Sequence, residues 1–279
     1  MHELRDFTID ELMVTCMARE VEDRSIVLQG LTTPLATVAY YLAKATHAPN
    51  AYIYQLAGNI LTHDLKALPV SMLFNEFQAM SGSLHVRSQM EAYETIFTKS
   101  SSIVEFFRPA QIDKYGNVNN SVIGNYESPK VRLPGAFGIP DALGIYPKIL
   151  VYCPRHEKRV FVEKVDFISG LGIFDREKYR DKEVRIISNL GTMRLDNKTK
   201  EMQLITKHPG VSIEEIKENT SFDLAIQKTI QETELPTEHQ ISLIRDKIDP
   251  NGTRHLEMLG GKERLSLLLD IIEKESKIE

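Results

Sequence analysis

The chain opens with apolar residues at helical spacing. Ile9, Leu12, Met13, Cys16, Met17 and Val21 share one face, and Thr8-Ile9-Asp10-Glu11 sets a hydroxyl and a carboxylate at capping-box spacing in front of them. This pattern predicts an amphipathic helix to about Asp23. Ser25-Ile26-Val27-Leu28-Gln29 is a short apolar run ending at Gly30, and Thr33 followed by Pro34 reads as the N-cap and first position of a helix reaching about Ala45. Pro49-Asn50 then breaks the chain before a second run, Ala51 to Leu56, which ends at Ala57-Gly58-Asn59. Strand, helix and strand at this separation predict a βαβ unit with parallel strands. Open α/β sheets take ligands at the carboxyl ends of such strands. Gly30, Leu31, Thr32 and Thr33 on one turn and Gln55, Leu56, Ala57 and Gly58 on the other are therefore expected to share a crevice.

Further runs at Ile103 to Phe107, Ile149 to Tyr152, Val160 to Val165 and Val184 to Ile187 predict more strands between polar and glycine-rich loops. After His208-Pro209-Gly210 the pattern turns charged and helical, with starts at Ser212-Ile213-Glu214-Glu215 and Pro236-Thr237-Glu238, so Val211 to Asp249 is expected to be helical cover. Lys262 to Glu279 is expected to form an amphipathic helix whose leucines and isoleucines dock on a partner or on the body. The expected fold class is α/β: a sheet-centred single domain with helical cover over residues 1–253, followed by a C-terminal amphipathic helical extension over 254–279.

Composition narrows the function. With 279 residues, 42% hydrophobic and 26% charged, the chain can bury a large core and resembles neither a disordered, fibrous nor membrane protein. The net charge of -5, with both signs interspersed, offers no positive face for a phosphate backbone, so neither nucleic acid nor a membrane is expected as a partner. Cys16 and Cys153 lack the spacing of a zinc site or a disulfide framework and are expected to be buried thiols. The first ten residues carry three acids and one Arg before any apolar run, unlike a signal peptide, so a cytoplasmic protein is expected. With neither a Walker sequence nor a GxGxxG after a predicted strand, no cofactor is expected, and no metal.

Two stretches carry candidate chemistry. Gln111 to Ser121 is a Gly-Asn turn between apolar runs, with Gln111, Asn117 and Asn119 as polar flanks. Gly135-Ala136-Phe137-Gly138 can let the backbone approach a ligand and donate N–H groups to an anion or a thioester oxygen. His47 and His63 flank the second predicted strand and are candidates for proton exchange, though neither has a sequence-visible partner and a capping or surface role is the simpler reading.

Taken in order, Ala48-Pro49-Asn50, Ala110-Gln111-Ile112-Asp113-Lys114-Tyr115-Gly116-Asn117-Val118-Asn119, Pro129-Lys130-Val131-Arg132 and the glycine loop at 135–138 resemble the β subunit of glutaconate CoA-transferase, of the family I CoA-transferases. The likeness continues through His156-Glu157-Lys158-Arg159, Asp166, Ile187-Ser188-Asn189-Leu190-Gly191, Glu218-Asn219-Thr220-Ser221-Phe222 and Ile244-Arg245-Asp246-Lys247-Ile248-Asp249-Pro250, spanning roughly residues 8–252. The resemblance implies the CoA-transferase family I fold, a homologous α subunit as partner and an acyl-CoA as substrate, with coenzyme A entering as part of that substrate. The glycine turns at 30–33 and 135–138 are expected to contact substrate and thioester through their N–H groups, with Gln111, Asn117 and Asn119 shaping the crevice.

In the transferases of this family a β-subunit glutamate attacks the thioester, giving an acyl anhydride and then a glutamyl-CoA. Aligned from Ala48-Pro49-Asn50 to Gly58, that position holds Leu56, which has no nucleophile. Gln55 is adjacent, but strand alternation turns it away from 56 and an amide is a poor nucleophile. Residues 30–59 are more similar to a branch that decarboxylates 3-methylglutaconyl-CoA, which carries a cysteine in place of Leu56, and residues 160–222 to a branch that opens rings of steroid-derived acyl-CoAs by hydrolysis. The expected activity is therefore hydrolysis, decarboxylation or related C–C cleavage of an acyl-CoA in a hetero-oligomer. The alternatives are a genuine CoA-transferase whose carboxylate is supplied elsewhere and a non-catalytic structural subunit.

Overall fold

The computed structural model describes residues 6–30, 33–65, 68–172 and 182–277. The chain divides into two compact units, Met1–Glu105 with Leu235–Glu279, and Phe106–Glu234. This differs from the expected single body over 1–253 with a separate tail: the chain leaves the first unit after Glu105 and re-enters it at Leu235, so the last helices are part of that unit.

The first unit starts with α1 (Ile9–Ala18), capped as its spacing foretells by the Glu11 carboxylate, which accepts the Thr8 N–H at 2.8 Å. The helix stops short of Asp23 because Glu20 N and Val21 N bond back to Met17 O and Ala18 O, tightening the last turn. Then follow β1 (Ile26–Gln29), α2 (Pro34–Ala45), β2 (Tyr52–Gln55), β3 (Ile60–Thr62), α3 (Asn75–Ser81), β4 (Ser83–Val86), α4 (Gln89–Thr98) and β5 (Ile103–Phe107). The helix α2 is apolar on every side and is buried from Pro34 to Lys44, as such a helix must be. Lys44 keeps its charge satisfied by donating to Pro49 O at 2.8 Å and Ala51 O at 2.6 Å, which ties the end of α2 to the start of β2; burial lowers its pKa. Within the unit the strand order is β5–β1–β2–β3–β4, with β5, β1 and β2 parallel and β3 and β4 antiparallel. The βαβ unit read from the sequence is thus present, in the register Ile26↔Tyr52 to Gln29↔Gln55.

The last two residues of β5 open the second unit, pairing with β10 (Lys148–Cys153) through Leu150↔Phe106 and Val151↔Phe107. Before β10 come β6 (Gln111–Ile112), β7 (Val118–Asn119), β8 (Val122–Gly124), β9 (Pro129–Arg132) and α5 (Ile139–Ile145); after it come β11 (Glu183–Ser188), β12 (Gly191–Leu195), β13 (Met202–Lys207), α6 (Ile213–Glu218) and β14 (Ala225–Glu232). The strands run β14–β13–β12–β11–β10, mixed in direction. Two expectations fail here. Val160 to Val165 is not a strand: Val160 N and Phe161 N both turn back to Glu157 O, and only Phe161 forms a bridge, to Ile112. Val211 to Asp249 is not all helix, because β14 adds to β13 as a mostly exposed edge strand whose Gln, Lys and Glu residues read as polar helix. Both cysteines are buried and neither is in a disulfide; burial pushes the Cys153 thiol up to about 12.

The chain returns through α7 (Glu238–Ser242), a π-helical turn (Leu243–Ile248), α8 (His255–Met258) and α9 (Gly261–Glu275). A buried ionic cluster joins them to α1. Arg254 donates to Asp10 at 2.6 Å, Glu11 at 3.2 Å and Asp249 at 2.9 Å, while Arg245 binds Glu11 at 2.7 Å. Burial raises the Asp10 pKa, but His255 and Arg254 outweigh it and bring the group down to about 2. The helix α9 docks through Ile271 and Glu275, whose carboxylate accepts from Ser71 Oγ, Met72 N and Leu73 N, while Leu265 and Leu269 stay exposed.

In the second unit His156 sits between Ser188 Oγ and Thr220 Oγ1, 2.9 Å from each, and stacks on Phe161; His208 bonds Thr233 Oγ1 and Ser188 O at 2.8 Å. Burial pushes His156 down to about 3 and, against the pull of the Ser188 carbonyl, His208 to about 4.

These buried groups should dominate the protein's response to mutation and to acid. Replacing Arg254 by Met leaves three carboxylates facing one another without their shared cation and should cost about 3–5 kcal/mol in urea unfolding, far more than truncating the exposed Arg159. As pH falls below 6.5 the unfolded chain protonates His156 and His208 while the folded chain does not, so stability should drop by about 1.4 kcal/mol per histidine per pH unit, and His208→Gln should roughly halve that slope.

Candidate functional site

In the first unit the carboxyl ends of β1 and β2 lie side by side, with Gln29 opposite Gln55. Leu56 N donates to Gln29 O at 3.2 Å, so the parallel ladder continues one residue beyond β2 and fixes which residue stands at its end. That residue is Leu56, half-buried; Ala57 after it is exposed. Gln55 is buried, and neither its Oε1 nor its Nε2 has a hydrogen-bond partner among the described residues. Gly58 lies beside it: a Cβ there would sit 2.6 Å from Ile60 Cδ1, crowding that side chain, and 4.0 Å from Gln55 Oε1, an ordinary contact. Asn59, at φ 52°, completes the turn, and its Oδ1 is also buried without a partner among the described residues.

On the neighbouring turn Leu31 and Thr32 lie outside the described residues. Thr33 occupies the N-cap position of α2, but its side chain does not cap; its Oγ1 faces Gly30 O at 3.5 Å. The capping group is Glu257 from α8, a buried carboxylate that accepts the Leu35 N–H at 2.8 Å. No pattern in the sequence points to Glu257, because the contact joins residues 222 apart and requires the chain's return to the first unit.

The two histidines are elsewhere. His47 bonds Thr46 Oγ1 at 3.1 Å and Val21 O at 3.1 Å before β2 begins, and His63 packs against Tyr52 with rings 4.8 Å apart. Both stand at the amino end of β2, so the fold does not bring them to Leu56.

In the second unit, Gln111, Asn117 and Asn119 engage their side chains with each other and with the loop. Gln111 Nε2 donates to Asp166 at 3.0 Å and its Oε1 accepts from Asn119 Nδ2 at 2.7 Å; Asn119 also donates to Val122 O at 2.6 Å. Asn117 Nδ2 donates to Asp113 at 3.0 Å and its Oδ1 accepts from Gly172 N at 3.3 Å. Such groups hold the shape of a turn. The loop at 135–138 is different. Gly135 is at φ 113° with its N–H on Asn120 O, Phe137 is at φ 51° and 88% exposed, and Gly138 precedes α5. A bulky residue in left-handed conformation with its ring in solvent is strain of the kind that clusters at ligand sites. Ala136 N, Phe137 N and Gly138 N hydrogen-bond to no described residue. No cluster of His, Cys, Asp and Glu that could hold a metal occurs among the described residues, nor a helix long and apolar enough to cross a membrane.

Comparison with known proteins agrees with this architecture. The profile of the family described as Coenzyme A transferase matches residues 11–219, and the chain belongs to that family. It is 30% identical over 260 residues to the β subunit of the glutaconate CoA-transferase of Acidaminococcus fermentans, covering 90% of this chain and 96% of that one. It is 29% identical over 253 residues to the cholesterol ring-cleaving hydrolase IpdB subunit of Mycobacterium bovis, covering 89% and 97%. Among solved structures, the decarboxylase AibA/AibB matches with a TM-score of 0.79 at 25% identity over 89% of this chain and 98% of that one.

The Glu257 contact is testable. Glu257→Gln keeps an acceptor but removes the charge from the start of α2 and should cost about 1 kcal/mol, whereas Glu257→Ala leaves the buried Leu35 N–H unmet and should cost about 2–3 kcal/mol, both read from urea midpoints.

Proposed function

We propose that this chain is the β-type subunit of a two-subunit enzyme that cleaves an acyl-CoA by hydrolysis or decarboxylation and does not transfer CoA between acids. The observation that carries the reading is Leu56 at the end of β2, held there by the Gln29 O contact and the Gln29↔Gln55 register, so that no one-residue slip brings a different side chain to that point. An acyl anhydride with the enzyme needs a carboxylate to form it. Leucine leaves the thioester to be attacked by water or to serve as an electron sink while a neighbouring carbon–carbon bond breaks. In either case negative charge gathers on the thioester oxygen, and aimed N–H donors lower its energy. Within the second unit taken by itself, the turn 135–138 has N–H groups of this kind on Phe137 and Gly138. The decarboxylase and the ring-cleaving hydrolase among the relatives support a fold that hosts both outcomes.

A partner subunit is supported by the surface. Phe77 and Met80 on α3, Leu84 and Val86 on β4, and Met90, Tyr93 and Phe97 on α4 are all exposed, and β4 ends the strand order of the first unit. A large apolar face beside an open strand edge is costly to leave in water and suits a protein interface. The homologous α subunit is the partner proposed for it.

A second reading has one observation in its favour: Glu257 brings a buried carboxylate to the turn after β1, where a transferase without the usual glutamate could find another. Mass spectrometry of the co-expressed complex, given a panel of acyl-CoAs with and without acetate, separates the two. Our reading expects consumption independent of acetate, with a product that has gained water or lost carbon dioxide. Acetate-dependent consumption with acetyl-CoA formation, and a glutamyl-CoA trapped by borohydride or hydroxylamine, would replace it with transfer.

A further inference from the structure

The amide of Gln55 has no partner among the described residues. It is 2% exposed, both of its polar atoms lack partners among the described residues, and it lies under Gly58 at the end of β2. A buried polar group left in that state destabilises the fold, and apolar residues of the same length are available that would not. One neighbour adds to the deficit: Asn59 Oδ1, four residues on in the same turn, is buried without a partner among the described residues; Gln29, opposite in the parallel register, is a further buried amide side chain. The polar atoms are thus concentrated where open α/β sheets take ligands.

We propose that Gln55 is a specificity-determining residue that reads a hydroxyl group on the acyl chain of the substrate, an inference that rests on the acyl-CoA reading above. A carboxamide presents an N–H donor beside a carbonyl acceptor, and a hydroxyl satisfies both, accepting from Nε2 and donating to Oε1. A carboxylate could accept from Nε2 and draw on Arg87, whose backbone N–H donates to Asn59 O, but it has no proton to give Oε1, which would stay buried and unmet. A plain alkyl chain would leave the amide as it is. Because alternation along β2 turns Gln55 away from the side chain at 56, the group it meets is a substituent of the acyl chain and not the thioester carbon.

The test uses the co-expressed two-subunit complex, with Gln55→Met as a near-isosteric apolar replacement and Gln55→Leu as a second variant should methionine pack poorly. Thermal unfolding and isothermal titration are run with 3-hydroxyhexanoyl-CoA, hexanoyl-CoA and glutaryl-CoA. Loss of a hydrogen bond from a buried polar group predicts about 10- to 100-fold weaker binding of the hydroxyacyl-CoA and a change under about threefold for hexanoyl-CoA. The ligand-free variant should melt higher than the parent, since an unmet amide has been removed. A lower melting temperature in both variants would show that the amide is structural. Equal loss for all three ligands, or a preference of the parent for glutaryl-CoA, would overturn hydroxyl recognition while leaving the acyl-CoA reading in place. Failure of the parent complex to bind any of the three would overturn both.

Discussion

The first unit depends on one ionic contact between its two ends. Arg254 is buried against Asp10, Glu11 and Asp249, and its backbone N–H also donates to Asp249 at 3.1 Å, so the guanidinium holds the first helix and the returning chain in a single low-dielectric knot. Removing water from three carboxylates is expensive, and only a planar cation with several donors can meet them together. Once that knot is tied, α8 must start at His255, and its Glu257 reaches the N-terminus of α2. The start of α2 is where the turn after β1 ends. A contact made for folding therefore also fixes the start of α2, in the same unit as the candidate site.

Much of the frame could be read from the sequence, for a physical reason that is easy to state. Where local chemistry and packing ask for the same thing, the pattern is transparent: the capping pair Thr8 and Glu11, the Thr33-Pro34 start of α2 and the apolar run of β5 all appear where the spacing places them. The misreadings fall where a neighbour supplies what the segment lacks. The edge strand β14 is polar enough to pass for a helix because only β13 needs to accept it. Val160 to Val165 has strand composition, but its backbone is taken by Glu157 O and by a single bridge to Ile112. The division into two units was hidden for a similar reason, since it follows from pairings between the chain's distant ends and not from any linker-like stretch.

At the site the sequence showed positions but not the state of the side chains. Gln111, Asn117 and Asn119 look alike on paper to Gln55 and Asn59, all being amides near glycine turns. The structure separates them by what their atoms already hold: the first three are tied to Asp166, Asp113, Val122 and Gly172, while Gln55 holds none of the described residues. Which amides are satisfied is decided only in the folded chain, because the partners come from segments far apart in sequence. Glu257 was invisible on the same grounds, and the two histidines looked eligible only because the direction of β2 relative to them is not written in their spacing.

Leu56 and Gln55 make opposite departures within two residues. Position 56 is apolar where the resemblance places the transferase carboxylate, and position 55 carries polarity that no described residue uses. A chain that had only retired from catalysis would be under no pressure to keep the second, because exchanging a buried unmet amide for an apolar residue gains stability with no loss of function. Proteins near their stability threshold keep such a deficit where binding offsets it, and the strained Phe137 in the second unit follows the same logic. The local destabilisation at Gln55 thus weighs against a purely structural subunit and supports the proposed ligand-binding role of the turn after β2, where Leu56 is the departure on which the proposed loss of CoA transfer rests.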